Sequence, residues 1–202
     1  MGRAALRILE FEAKGLAAVG LWLARRRHGV PDGATAVTYA KEQSFTMSLM
    51  MFAMLVETVV VDLLLVAMDV PAGVRFAVLA LDVYGLLFGV ALAAACATRP
   101  HVVTADELRI RYGAYFDLRV PRHRIASVHT SRSYHESAMV SVTDGRLTVA
   151  VASTANVTIQ LTEPITFERP LGALAEAHTI RFFADRPEIL LNELRSEDPV
   201  RP

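Results

Sequence analysis

The densest run of reactive side-chain types in the chain is Ser133-Tyr134-His135-Glu136, where a hydroxyl nucleophile, a base and an acid stand in a row. Adjacency is not triad geometry. A triad needs side chains converging from separate elements, and no strand–turn–helix elbow is encoded around Ser133. His123, His129 and His135 recur every six residues, but neither cysteine nor carboxylates at ligand spacing accompany them, so no metal site is expected. Cys96 is the single cysteine, which excludes an internal disulfide framework and any thiolate-built zinc cluster. No G-x-x-x-x-G-K, G-x-G-x-x-G or H-E-x-x-H occurs. Neither an enzyme nor a bound cofactor is expected.

Three carboxylates in apolar surroundings are more distinctive: Glu57 and Asp62 in one hydrophobic stretch and Asp82 in the next. Acids at such positions are expected to face protein or water and to be partly protonated. One reading is a proton or cation relay, which two helices could enclose only by oligomerising. The other is that neutral acids hydrogen-bond between helices, or that Asp62 reaches water near the interface. A third chemistry-bearing segment is Arg119–His135, which carries Arg119, Arg122, Arg124 and Arg132 among three histidines. It could press on anionic lipid or bind an acidic partner, more strongly below pH ~6.5 as the histidines charge. It could equally be a solvated strand edge, where such charges discourage aggregation.

The elements that must position these groups follow from composition. Of the chain's 202 residues, 53% are hydrophobic and only 7% aromatic, and Lys+Arg and Asp+Glu both count 21. Zero net charge argues against a dedicated nucleic-acid binder, so no nucleic-acid partner is expected. The charges are unevenly spread: residues 45–98 hold one basic and four acidic residues, so the middle of the chain is almost continuous hydrocarbon.

Residues 45–68 and 74–97 form two 24-residue apolar stretches, each able to cross a hydrocarbon core of ~30 Å. Asp69-Val70-Pro71-Ala72-Gly73 joins them, too short for anything but a helical hairpin. The first stretch has twelve Leu, Val or Phe residues, worth about −6 kcal/mol, against two acids costing about as much, so it depends on its partner helix. In the second, eleven such residues face a single acid and insertion is favourable. Glu57 lies at mid-span, Asp62 ~8 Å nearer the outside, and Asp82 between them in depth. Asp82, Gly85, Gly89, Ala93 and Cys96 follow helical spacing along one face. Such a small-residue stripe either packs the two spans together or forms a homo-oligomer seam.

Arg25, Arg26, Arg27 and Lys41 precede the hairpin and Arg99, Arg109 and Arg111 follow it, while the connecting turn has no basic residue. The positive-inside rule then predicts a multi-pass protein of the cytoplasmic (inner) membrane with both termini cytoplasmic. Gly15–Ala24 is followed by arginines rather than by a cleavage site, so no signal peptide is expected. In residues 1–44, Arg3, Arg7, Glu10 and Lys14 recur on one side and Ile8, Phe11, Val19 and Trp22 on another. That periodicity predicts an amphipathic helix, lying in the cytoplasmic interface with Arg25–Arg27 drawn to anionic headgroups, or packed on the following domain.

After Arg99-Pro100 the period shortens to two. Leu108, Ile110 and Tyr112 alternate with arginines, and Phe116, Leu118 and Val120 resume the alternation beyond Gly113. Further strands are predicted at 124–129, 138–143, 146–152, 156–161 and 178–183, with Asp144-Gly145 a hairpin turn. Residues 162–177, broken by Pro164 and Pro170, read as a loop with one short strand at most. Asp185-Arg186-Pro187-Glu188 starts a helix whose apolar face is Leu190, Leu191 and Leu194. The fold class is therefore α+β: an N-terminal helix, a transmembrane hairpin, and residues 99–202 as a small β-barrel or sandwich closed by one helix.

Thr104-Ala105-Asp106-Glu107-Leu108-Arg109-Ile110-Arg111-Tyr112-Gly113, with Val120-Pro121 and Ile125-Ala126-Ser127-Val128, resembles the opening strands of bacterial pleckstrin-homology-like (PH-like) domains. The terminal Asp185–Leu191 helix matches theirs as well. The chain from about residue 20 onward is similar to uncharacterised actinobacterial membrane proteins in which such a domain follows a two-helix hairpin. The resemblance implies a fold and no activity. A scaffold at the membrane surface is the leading functional expectation, with membrane lipid and either a protein partner or a second copy as partners. A transport component using the intramembrane acids, and anionic-lipid sensing by segment 119–135, are the alternatives.

Overall fold

The computed structural model describes the backbone of residues 2–170 and 172–196, and the side chains of residues 12–170 and 172–195. Helix α1 spans Gly2–Leu23, a short strand β1 covers Thr35–Val37, and helices α2 (Lys41–Ala67) and α3 (Ala72–Thr98) form the hairpin. Each hairpin helix has 27 residues, ~40 Å at 1.5 Å per residue, and both are long and apolar enough to cross a membrane. The turn closes on Asp69, whose φ of 52° is the left-handed conformation that ends a helix, and Pro71 then opens α3.

The small-residue stripe packs the hairpin itself. A Cβ placed on Gly85 would lie 3.2 Å from Met54 Cε, and one on Gly89 would lie 2.8 Å from Met51 Sδ. The two glycines therefore face methionines of α2, which is the hairpin-packing role the sequence offered for the stripe, and both stay partly exposed. Asp62 and Arg75 form a two-point ion pair across the hairpin, Nε to Oδ1 at 2.7 Å and Nη2 to Oδ2 at 3.2 Å. Asp62 is thus the partner of Arg75, a pairing the sequence reading did not include beside its neutral or water-facing acid; Arg75 lies one turn into α3, within reach of the last turns of α2.

Helix α1 departs from the expected interfacial or domain-packed placement. Glu12 accepts a hydrogen bond from the Tyr84 hydroxyl, a Cβ on Gly15 would meet Ala91 Cβ at 3.2 Å, and Ala18 is buried with Ala94 and Ala95. Rising numbers in both helices mean that α1 runs alongside α3 in the same direction. Gly15 and Ala18 make this approach possible, because small side chains let two backbones come close. The side chains of Arg3, Arg7, Ile8, Glu10 and Phe11, which carried five of the eight positions of the amphipathic pattern, lie outside the described residues.

The β domain consists of two sheets. Strands β2 (His101–Val103), β3 (Glu107–Tyr112) and β4 (Phe116–Pro121) join β1 in an antiparallel order β1-β2-β3-β4. Strands β5 (Ile125–Ser133), β6 (Val140–Thr143), β7 (Arg146–Val149), β8 (Ala155–Glu168) and β9 (Leu174–Phe182) order as β5-β8-β9-β7-β6, with β7 and β9 parallel. Among the described strands no pair links the two sheets, so the domain is a sandwich rather than a closed barrel. Asp144 and Gly145, both at positive φ, close the expected β6–β7 hairpin.

Two assignments change. Residues 35–37, read as linker, add a strand to the first sheet, with Val37 opposite His101. The β domain therefore includes residues on the amino-terminal side of the hairpin, and neither 44 nor 99 divides the chain cleanly. Residues 162–177 are largely strand: β8 runs on to Glu168 and β9 starts at Leu174. Pro164 is accommodated because the β8–β9 register shifts between Gln160 and Ile165, where no ladder N–H is required of it. Helix α4 (Pro187–Ser196) packs on β1, β2 and β5, and buries Leu190 and Leu191. The core of Leu108, Ile110, Val120, Leu147, Ile159 and Ile180 lies between the two sheets and beneath this helix.

Candidate functional site

Where the hairpin meets the β domain, the sequence places polar groups that would be costly to bury unless each found a partner. His101 is 1% exposed. Its Nδ1 accepts the Arg111 backbone N–H at 3.1 Å, which leaves the proton on Nε2 to donate to Phe183 O at 2.9 Å. Burial, with the Arg111 charge adding to it, pushes this imidazole down to about 4. The ring stacks on Tyr39 at 4.6 Å and meets the edge of Phe182 at 5.1 Å. Neutral histidine is what this slot accommodates.

The Arg111 side chain, also 1% exposed, donates to His28 O at 2.8 Å, Gly29 O at 2.9 Å and Pro100 O at 3.4 Å. Its Nε lies 3.8 Å from the Asp117 carboxylate, which Arg109 grips through two bonds of 2.7 and 2.5 Å. Arg111 thereby pins the segment after α1 onto the first sheet. Gly29 permits this through its φ of +60° and by having no Cβ, which would lie 2.9 Å from Arg111 Nη2. Burial and the neighbouring cations Arg99, Arg111 and Arg109 lower the His28 imidazole.

Tyr39 completes the joint. Its hydroxyl accepts the Gly113 N–H at 2.6 Å, and burial raises it well above the ordinary phenol range. Gly113, at φ +52°, turns the β3–β4 hairpin tip against the end of α3, where an added Cβ would lie 3.3 Å from Cys96 Sγ. Tyr112, pushed up to about 12 by burial, donates to Gln43 Oε1 at 3.1 Å. Both hairpin helices thus meet one β-hairpin tip, α2 through the Tyr112–Gln43 bond and α3 through the close approach of Gly113 to Cys96.

Beside this joint lies a groove of 620 Å³, formed by the root of α2, the end of β5, the start of β8 and the start of α4. Arg132 and Tyr134 are exposed on one wall, Lys41 and Glu42 on another, and Asn156 and Asp185 lie deeper. Asn156 is spent on Ala184, donating to its carbonyl at 2.7 Å and accepting its N–H at 2.8 Å. Asp185 does not reach its own helix as the sequence suggested. Its Oδ1 accepts the Lys41 N–H at 3.2 Å and so supplies the first turn of α2 with an acceptor and a negative charge. Asp185 Oδ2 is shielded from solvent without a hydrogen-bond partner among the described residues. The groove therefore carries two exposed cations, Lys41 and Arg132, and two exposed carboxylates, Glu42 and Glu188, on its rim.

The basic segment is not one surface. Arg119 faces Glu107 at 3.6 Å on the first sheet. Arg122 holds α4, donating to Glu193 O at 2.9 Å and Leu194 O at 3.0 Å, and to Thr104 O at 3.2 Å. Arg124 is half-buried and His129 exposed; Arg132 alone among these arginines lines the groove. Arg25, Arg26 and Arg27 are exposed at the end of α1, level with the end of α3, because the His28 N–H binds Thr98 O at 2.8 Å. Ser133 donates to Glu136 at 2.5 Å, a local turn bond that involves no histidine.

The three acids of the apolar helices are not brought together. Asp62 is paired with Arg75, Glu57 is exposed on the outer face of α2 and Asp82 is half-buried, with no hydrogen bond among the three. Ala93 lines a second, apolar cleft between the helices. Among the described residues no group of three metal-ligating side chains occurs.

Sequence reasoning found Arg132 but not its neighbours in the groove. Lys41 and Asp185 are 144 residues apart, and no periodic signal links them. The chain matches no protein-family model, no curated protein and no solved structure.

Proposed function

We propose that this chain is a non-catalytic protein of the cytoplasmic membrane, whose PH-like cytoplasmic domain binds a polypeptide partner in the groove at the root of α2. The observation that carries the reading is the composition of that groove. Membrane helix and β domain build it jointly, and it places the cations Arg132 and Lys41 at the rim together with the carboxylates Glu42 and Glu188. A polypeptide supplies the matching chemistry: acidic side chains for the two cations and basic ones for the two carboxylates beside them. Beside the groove, β5 is an edge strand that pairs with β8 alone, so an extended segment has a backbone edge to follow. The two-sheet domain with its closing helix supports the PH-like reading, and the apolar exterior of α2 and α3 supports membrane insertion. The fastening at Tyr39, His101 and Arg111 suits a scaffold, because it holds the groove at a constant height above the hairpin.

The test is site-specific photo-crosslinking in native membranes from a probe at Tyr134 of the full chain. A discrete, saturable adduct that disappears in Arg132→Glu and in Lys41→Glu is expected. No polypeptide adduct at Tyr134, or one indifferent to both charge reversals, would refute the assignment. A reporter fused after Pro202 that is active only on the far side of the membrane would refute the topology.

A further inference from the structure

Helices α1 and α2 both pack on α3, and between them they leave a cleft of 420 Å³, a volume within the range of ligand pockets. The cleft is the continuation of the small-residue stripe. At Gly85 and Gly89 the stripe faces Met54 and Met51; one turn further on, at Ala93, it lines the cleft. The lining extends along α2 from Gln43 to Met51, ~12 Å of helix, and is closed on the α1 side by Trp22. Its walls are mostly alanine and methionine, with Val90 and Cys96; Gln43 and Ser44 lie toward one end, and Ser48 lies between Met47 and Met51.

The cleft lies at the end of the hairpin that carries the β domain. If α2 and α3 cross the bilayer, as proposed above, its surroundings at that depth are hydrocarbon, and its walls continue the lipid-facing surface. Two further observations select the occupant. Trp22 is half-exposed at the mouth, the position of an interfacial aromatic. Directly beyond it the helix ends, and Arg25, Arg26 and Arg27 project unburied at the level of Thr98. An apolar slot with an aromatic at its mouth and three cations just past the end of the same helix matches one molecule class: a phospholipid with an acyl chain to bury and a negative headgroup to pair.

We propose that the cleft between Trp22, α2 and α3 seats an acyl chain of an anionic phospholipid from the leaflet facing the β domain, whose phosphate is held by Arg25–Arg27. The lipid then acts as a filler between α1 and α2, tying the amino-terminal helix to the hairpin.

Trp22 is the single tryptophan of the chain, so its fluorescence reports the slot directly. The full chain is reconstituted in vesicles of phosphatidylcholine containing increasing fractions of phosphatidylglycerol, with bromine on the acyl chains of one lipid or the other. Brominated phosphatidylglycerol is expected to quench saturably at low mole fraction, whereas brominated phosphatidylcholine quenches only in proportion to its abundance. Each arginine replaced by glutamine among the three is expected to weaken that preference about fivefold. Ser48→Phe, at an exposed position on the cleft lining, should abolish the saturable component and keep the proportional one. Quenching proportional for both lipids, or unchanged by Ser48→Phe, would overturn the lipid slot while leaving the membrane placement standing. A changed oligomeric state in Ser48→Phe without loss of saturable quenching would assign the cleft to a second copy instead. Absence of quenching by either lipid would overturn the membrane placement on which the inference rests.

Discussion

Acidification acts on the joint between hairpin and β domain through His101. The imidazole is held near 4 in the folded chain by burial, and would return to about 6.5 on unfolding. The folded state therefore binds the proton less well than the unfolded one. Its stability is fully present above pH 6.5 and is lost as pH falls from there toward 4. One proton taken up over that interval corresponds to about 1.4 kcal/mol per pH unit, and the loss between pH 7 and pH 5 comes to about 2 kcal/mol. The two partners explain why the ring cannot charge in place. Arg111 N–H occupies Nδ1, where a second proton would have to sit, and the Arg111 guanidinium is close enough to repel the cation. His101→Gln keeps a donor for Phe183 O and removes the titration. Its absolute stability should be lower, because stacking on Tyr39 is lost, but its dependence on pH should be flatter by about 1.4 kcal/mol per unit below 6.5. Denaturant melts of the full chain in a non-ionic detergent, followed by circular dichroism of the sheets from pH 5 to 7.5, measure both slopes. Equal slopes in the two proteins would refute the reasoning.

Arg122→Ala releases the last turn of α4 from two carbonyl contacts and should destabilise the β domain by about 2 kcal/mol, seen as earlier melting of the sheet signal at neutral pH. Gly113→Ala forces a side chain into a left-handed turn against Cys96 and should cost about 1–2 kcal/mol, read in the same melts. Asp62→Asn and Arg75→Gln each strand the partner charge. Each should lower the temperature at which the full chain aggregates in detergent, and the double variant should recover part of the loss; strict additivity would mean that the pair is not coupled.

Element type was legible wherever the period was long. Twenty-seven-residue apolar helices, the alternation of β3 and β4, the Asp144-Gly145 turn and the Leu190–Leu191 face all follow from local pattern. Three-residue strands were not legible: β1 and β2 are too short to show alternation, and pairing with each other is what makes them strands. The alternation of Ile165 and Phe167 with Thr166 and Glu168 was present in the sequence, but the prolines at 164 and 170 read more loudly. A proline forbids a ladder bond only where one is needed, and the register shift that removes the need belongs to the sheet, not to the residue.

By itself the amino-acid sequence determined that two helices would be long and apolar enough for a bilayer, and that a β domain closed by a helix would follow them. Both are consequences of side-chain polarity repeating at the backbone's own periods, which needs no distant partner. Tertiary structure decided which charges are neighbours. It moved Asp185 from its own helix to the first turn of α2, spent Arg122 on helix carbonyls, gave Asp62 to Arg75 and set Gly85 and Gly89 against methionines. Those choices depend on distances between residues tens of positions apart, and only the packing of the two sheets and three amino-proximal helices brings them within a few ångströms.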